Sequence, residues 1–503
     1  MKKIFLCSLV LIMTLSISCK KFLEEYSQEE MRPGSTGDLT SLMNGDAYPN
    51  GVSIETFDVL TDDIQNNPLI QVNGAPIPTY LASLQAGTPM FTFNPTMFDQ
   101  NNTISTSANV YTRLYTKIKG CNVIIDYLDN VSGTAKDKNA ILGQCLFLRA
   151  YYYLRLVTLY GQMYNGAGVN PETALGVPLV LSSQVKDGGL PRNSLKEVYD
   201  QVEKDLLRAE PLLRANFTPT NVFRVSADLC NALLSRFYLY KGRNEDMDRT
   251  IQYATATLQN KFILTSLAGF VGSNNAISPN GIYNAASPEV LWIYSGSYSD
   301  INTVNFDNRS LPPFTVSADL SNQYDKGTGT SNYGDLRYQY YFQSFTTASG
   351  TKFPYRTAKN TVNATYGTKG FRVAELYLNR AEAYARRFLV SGNTTDRTAA
   401  LADLNTLRQS RYDTRNTVYT PVNITDAQAL YTFCKEERRR ELALEDCHRF
   451  IDLKRWGMGV THIYTGPDNV TSTFTLPPNS PLFALPIPYD VMLANTGLIQ
   501  NPR

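Results

Sequence analysis

Between Lys435 and Arg455 the chain reads KEERRRELALEDCHRFIDLKR, which places Glu441 and Glu445 one helical turn apart. Two carboxylates at that spacing could share acid/base work. The same block, however, supplies its acids with bases. Glu436 and Arg440, Arg438 and Glu441, Glu445 and Arg449, and Asp452 and Arg455 stand three or four residues apart. Such pairs add roughly 0.2–0.5 kcal/mol each on a helix surface. A structural ion network is therefore expected, with no catalytic residue. The only two histidines, His448 and His462, cannot build a His-rich metal site and make a Ser-His-Asp arrangement improbable. His448 is expected to join the packing of the charged block, and His462 to stand in a loop without a partner. Asp62-Asp63 could hold a ligand hydroxyl or a calcium ion. No D-x-[DN]-x-[DN]-G loop occurs, so no metal and no cofactor is assigned.

The aromatic residues offer another chemistry. There are 32 tyrosines against two tryptophans, and many tyrosines fall in stretches rich in Asn, Ser and Gly rather than on helical stripes. A sugar ring presents C–H groups to a flat aromatic face, while its hydroxyls need Asn, Asp, Arg or backbone partners. Loops holding Tyr, Phe and Asn together meet both needs, and a tyrosine orders with only two side-chain torsions. At least half of these rings are expected merely to pack the irregular stretches onto their support.

The positioning elements follow from periodicity. Ile141, Cys145, Leu148, Tyr152, Leu156 and Leu159 form one continuous stripe between Asp137 and Tyr160, and Gly161 ends it through its tolerance of positive φ. Val225 to Lys241, ended by Gly242, and Phe371 to Arg387 repeat the pattern. Further helical segments are Ala108 to Leu128, Ser194 to Leu213 (opened by a Ser194/Glu197 capping box), Met247 to Leu258, Thr398 to Arg411 and Ala427 to Trp456. Ala227 to Leu258 and Ala374 to Leu407 each read as a helix pair of about 34 residues, resembling tetratricopeptide repeats. Two stretches, 62–107 and 265–370, are irregular; the second includes a strand-like Val290 to Tyr294. Loops that long serve a function in most compact domains.

The chain has 503 residues, 43% of them hydrophobic, with 47 basic and 45 acidic side chains. That supports a large core, and a net charge of +2 lacks the basic face a nucleic-acid binder needs. Met1-Lys2-Lys3 precedes an apolar run from Ile4 to Ser18. The run is too short to span a bilayer, which takes about 20 residues, but it suits an export signal. It ends at Cys19, and the junction resembles a bacterial lipoprotein cleavage site with Cys19 as the lipidated residue. An ordinary secretory signal with an incidental cysteine is the alternative. Cysteines 121, 145, 230, 434 and 447 include no C-x-x-C and are expected as buried thiols.

Phe147-Leu148-Arg149-Ala150-Tyr151-Tyr152-Tyr153 through Tyr160-Gly161 resembles the FLRAYYY helix of the SusD/RagB family of outer-membrane nutrient-binding lipoproteins. Val110-Tyr111 to Asn122, Pro191-Arg192-Asn193-Ser194, Ala232 to Tyr240, Arg372 to Ala383, Leu404-Asn405 to Arg408, Glu437 to Trp456, Leu485-Pro486-Ile487-Pro488 and Gln500-Asn501-Pro502 follow the family's pattern in order. The resemblance implies a mostly α fold, a tetratricopeptide-like helical-pair scaffold with an irregular, loop-rich second lobe containing short strands.

The expected organisation is a signal peptide over 1–18, a lipidated tether over 19–38 and a single body over 39–503. Within the body the helical scaffold covers about 105–262 and 371–457, and the ligand-facing regions about 62–107 and 265–370. The resemblance implies an oligosaccharide-binding lipoprotein on the extracellular face of the outer membrane. It would deliver its ligand to a SusC-like TonB-dependent transporter and carry no catalytic residues. By position in the family, Tyr80, Phe91, Phe93, Phe98, Asn101, Tyr298 and Tyr333 are the candidates for ligand contact. Starch-binding members use tryptophans, and this chain has none in those loops, which disfavours starch. A peptide-binding member of the same family and a carboxylate-dependent surface glycoside hydrolase are the alternatives.

Overall fold

The computed structural model describes residues 32–49, 55–68, 71–72, 75–76, 78–99, 109–184, 188–260, 263–273, 282–294, 312–346, 352–357, 359 and 369–502. The signal segment, Cys19, Asn101 and Tyr298 lie outside the described residues. The first helix, α1 (Thr36–Leu42), starts inside the stretch read as tether. Ser35 opens it with a capping box, accepting from the Asp38 amide while the Asp38 side chain accepts from the Ser35 amide. The Ser132 amide donates to the Gly34 carbonyl, so the segment is already joined to the body there.

α2 (Pro78–Phe91) was not foreseen; its sequence holds Gly87, Pro89 and no charge. Gly87 is required, because a Cβ there would strike the Phe314 ring. α3 (Val110–Tyr127) and α4 (Ala135–Tyr160) follow, capped by the side chains of Asn109 and Thr134. α4 departs from the expected single stripe. Every residue from Gly143 to Tyr160 is buried, including Arg149 and Arg155, because α3, α5 (Leu195–Asn216) and a π-helical turn at Met43–Ala47 all pack on it. Gly161 is extended, at φ −105°, so positive φ is not why it ends the helix. The reason is space: a Cβ there would sit 2.8 Å from Leu195 and 2.9 Å from the Val157 carbonyl oxygen.

The expected helix pairs are present as α6 (Ala227–Lys241) with α7 (Asp246–Leu258), and α8 (Val373–Ser391) with α9 (Thr394–Arg411). Gly242 closes α6 in the left-handed conformation, at φ +76°. The last expected helix is broken into α10 (Ala427–Leu442) and α11 (His448–Arg455). In the corner between them Leu444, Asp446 and Cys447 take φ of 50°, 48° and 59°. A left-handed non-glycine residue costs roughly 1–2 kcal/mol, so the corner persists only because its surroundings fix it.

The strands are short and form two-stranded antiparallel sheets: β1 (Ile64–Asn66) with β5 (Phe314–Val316), β2 (Gln71–Val72) with β3 (Ala75–Pro76), β4 (Val290–Tyr294) with β8 (Lys369–Arg372), β6 (Phe342–Thr346) with β7 (Lys352–Thr357), and β9 (Val460–Thr465) with β10 (Thr471–Leu476). The β1/β5 ladder joins the two irregular stretches, and β9 packs against β1. All five cysteines of the described body are buried and unpaired with one another. No helix among the described residues is long and apolar enough to cross a membrane.

Candidate functional site

The charged block is an ion network, but neither its partners nor its setting are those of a helix surface. Of the four local pairs expected, only Asp452 with Arg455 forms, at 2.7 Å. Arg440 binds Glu437, Arg438 binds Asp452 and the Asn379 side-chain oxygen Oδ1, and Arg449 binds Asp62. Glu441 accepts from Arg337, Arg372, Arg411 and the Tyr341 hydroxyl, all buried. Glu445 accepts from Arg372 at 2.6 Å and Lys359 at 2.9 Å. Burial alone would raise both carboxyls. The cations outweigh it, holding Glu441 well below the usual range and Glu445 down at about 2. A general acid must keep its proton near neutral pH, and these groups have lost theirs.

The corner between α10 and α11 is fixed by the same cations. Lys359 Nζ donates to the carbonyls of Glu441 and Ala443 at 2.8 Å each, and Arg155 Nη1 donates to the Asp446 carbonyl at 2.7 Å. His448 lies buried against Tyr240, its pKa pushed well down by burial and by the neighbouring guanidinium groups of Arg236 and Arg438.

Asp62 and Asp63 each hold an arginine of the helical frame. Arg449 grips Asp62 through two bonds of 2.6 and 2.7 Å, and Arg439 binds Asp63 at 2.7 Å. Burial favours the neutral acid at Asp62, but the two guanidinium charges prevail and keep its pKa low. Ser317, which follows β5, donates to the backbone carbonyls of both aspartates, so both irregular stretches are tied to α10 and α11 at this point.

The aromatic candidates divide by burial. Tyr80 is 3% exposed and its hydroxyl donates to the Asn67 carbonyl at 2.6 Å. Phe91 is buried, stacked at 3.9 Å on the ring of His462. Phe98 is buried edge-on against Phe57. These three rings are buried, and Phe91 packs on His462 and Tyr464 of β9. Phe93 is half-buried, held at φ 55° with its ring 4.8 Å from His462. Tyr333 is half-buried, its amide donating to Asp413 and Arg415 lying 5.5 Å from its ring.

His462 was expected in a loop without a partner. It stands in β9 between Phe91 and Phe93, with Nδ1 2.7 Å from the Phe91 carbonyl oxygen and Nε2 2.9 Å from that of Thr61. Burial lowers its pKa despite those carbonyls, so at neutral pH the ring is uncharged and donates to one of them. The alternation Val460, His462, Tyr464 was the sequence signal that could have placed it on an inward strand face.

Residues 83–239 match the family described as starch-binding and associating with the outer membrane, and residues 250–503 match the SusD family. No curated protein matches the chain. Among solved structures, a SusD-like carbohydrate binding protein from Bacteroides vulgatus is 21% identical, with a TM-score of 0.64 over 92% of this chain and 97% of that one. A putative sugar binding protein from the same species is 22% identical, with a TM-score of 0.66 over 94% and 99% of the two chains. A SusD superfamily protein from Bacteroides thetaiotaomicron is 21% identical, with a TM-score of 0.67 over 93% and 100%. With the SusD match covering the carboxyl-terminal half and the fold shared along nearly the whole length, the chain belongs to the SusD family.

Proposed function

We propose that this protein captures an oligosaccharide at the cell surface and passes it to a TonB-dependent outer-membrane transporter, without breaking a bond. What carries the reading is the ion pairing of the central acidic groups: Glu437, Glu441, Glu445, Asp62 and Asp63 are each held by arginine or lysine. That arrangement supports a rigid frame for binding rather than hydrolysis. Relatives of the same fold described as carbohydrate- and sugar-binding support the choice of ligand. Ligand contacts are proposed at Phe93, Asn101, Tyr298 and Tyr333, while Tyr80, Phe91 and Phe98 are buried. Cys19 carries the lipid and holds the body on the outer face of the membrane. The test is binding of the purified full chain to an array of oligosaccharides and peptides, with products assayed in parallel. Saturable oligosaccharide binding without product release is expected. Peptide binding alone, or released product, would refute the reading.

A further inference from the structure

Away from the aromatic lobe, a cavity of about 220 Å³ opens beside the π-helical turn, walled by Asn44, Tyr48, Asn221, Phe223, Arg224 and Tyr294 among others. Its rim is a loop whose backbone is fixed on both sides. The Asn221 side chain accepts from the Phe223 amide at 3.0 Å, the Ile293 amide of β4 donates to the Val222 carbonyl at 3.0 Å, and the Val225 amide donates to the Tyr48 hydroxyl at 3.3 Å. The floor is equally fixed, Tyr48 donating to Gln144 and Tyr294 bonding to Tyr151.

Arg224 is the unusual member. Its Nη1 donates to the Asn44 side-chain oxygen Oδ1 and its guanidinium lies 4.8 Å from the centre of the Tyr48 ring. It forms no salt bridge among the described residues, whereas the arginines of the central network each hold a carboxylate. A guanidinium has five donors in one plane and matches a carboxylate with two parallel bonds. Here it is oriented by neighbours that leave its charge uncompensated. A cavity with an aromatic floor and a few convergent polar groups is the usual form of a small-molecule site.

We infer that this cavity is a binding site for one carboxylate-bearing sugar residue, a uronate. Its acid group pairs with Arg224, its hydroxyls meet Asn44 and Asn221, and its C–H face lies on Phe223. The choice of a sugar over another small carboxylate rests on the glycan-capture reading above.

The test is titration calorimetry of the full chain with sodium D-glucuronate, D-glucose and sodium sulfate. Two variants accompany it: Arg224→Gln, and Asn221→Asp, which keeps the turn-forming oxygen but sets a negative charge beside the guanidinium. Saturable glucuronate binding is expected, at least tenfold tighter than glucose, and at least tenfold weaker in both variants. The thermal midpoint of Asn221→Asp should match the wild type. Absence of glucuronate binding, equal affinity in Asn221→Asp, or displacement of glucuronate by equimolar sulfate overturns the proposal. Glucuronate binding without any response on the oligosaccharide array supports this site and refutes only the broader reading; the reverse result refutes this site alone.

Discussion

Arg449 of α11 reaches across 387 residues of sequence to hold Asp62 through two bonds, from Nε and Nη2. Together with Arg439 and Asp63 it pins the irregular stretch before α2 to the end of the helical frame. Removing one partner leaves the other charge unpaired, which costs about 3–5 kcal/mol when fully buried. The Asp62 side chain is 27% exposed, so Arg449→Met should cost about 2 kcal/mol in denaturant unfolding. Arg449→Met with Asp62→Asn together should cost less than the sum of the two single changes. Additive losses would show that the pair does not couple the two regions.

Glu441 compensates Arg337, Arg372 and Arg411 at once. Glu441→Gln keeps the shape and removes the charge, so about 3–5 kcal/mol of stability should be lost. Denaturant unfolding of the variant measures it. A neutral effect would mean that the network tolerates excess positive charge, contrary to its burial.

Stability should fall in acid and rise in mild base. Below pH ~6.5 the unfolded chain protonates His448 while the folded chain does not, because its folded pKa is depressed. Glu382 and Glu445, both near 2, extend the loss between about pH 4.5 and 2. In mild base the slope keeps its sign. Lys454, lowered by burial to about 7, loses its proton in the folded state well before the unfolded chain does. That window, from about pH 7 to 10.5, should add up to ~1.4 kcal/mol per pH unit. Chemical unfolding of Lys454→Met should show a shallower rise across it; an unchanged slope would rule out Lys454 as the source.

Packed and half-buried rings should separate in mutagenesis. Phe91→Ala should cost about 3–5 kcal/mol of stability, and Tyr80→Phe about 1 kcal/mol through its lost hydrogen bond. Phe93→Ala and Tyr333→Ala should leave unfolding midpoints closer to the wild type while weakening oligosaccharide binding at least tenfold. Calorimetry with the ligand found on the array reads the difference, and unchanged affinity in both variants would remove them from the ligand face.

Cys19→Ala should release the protein from washed outer membranes into the soluble fraction. Retention of the variant would mean that the attachment lies elsewhere.

From Val110 onward the helices were legible because their periodicity and caps are local properties: Asn109, Thr134, Ser194 and Ser226 each mark a start by their own side chain. α2 was hidden because Gly87 and Pro89 are weak helix formers, tolerated where Phe314 covers the glycine. The charged block was readable as a network, but its partners were not. Spacing rules describe neighbours on an exposed helix, while these arginines sit in the interior and meet acids brought by other elements. Tyr80 and Phe91 read as ligand contacts by their position in the family, in an Asn- and Thr-rich stretch that looks like loop. Their burial depends on β9, which is far along the chain, and no local pattern reveals it.

The corner from Ala443 to Cys447 has a consequence for biogenesis. Arg155 and Arg236 belong to the first half of the chain, yet the Asp446 side chain that pairs with both is made near the end. A nascent polypeptide emerging amino-terminus first therefore carries the Arg155 guanidinium without its carboxylate until Asp446 is made, whereas Arg236 meets Glu375 earlier. The ion pairs at the centre of the fold are therefore complete only once the chain has been made past Asp446.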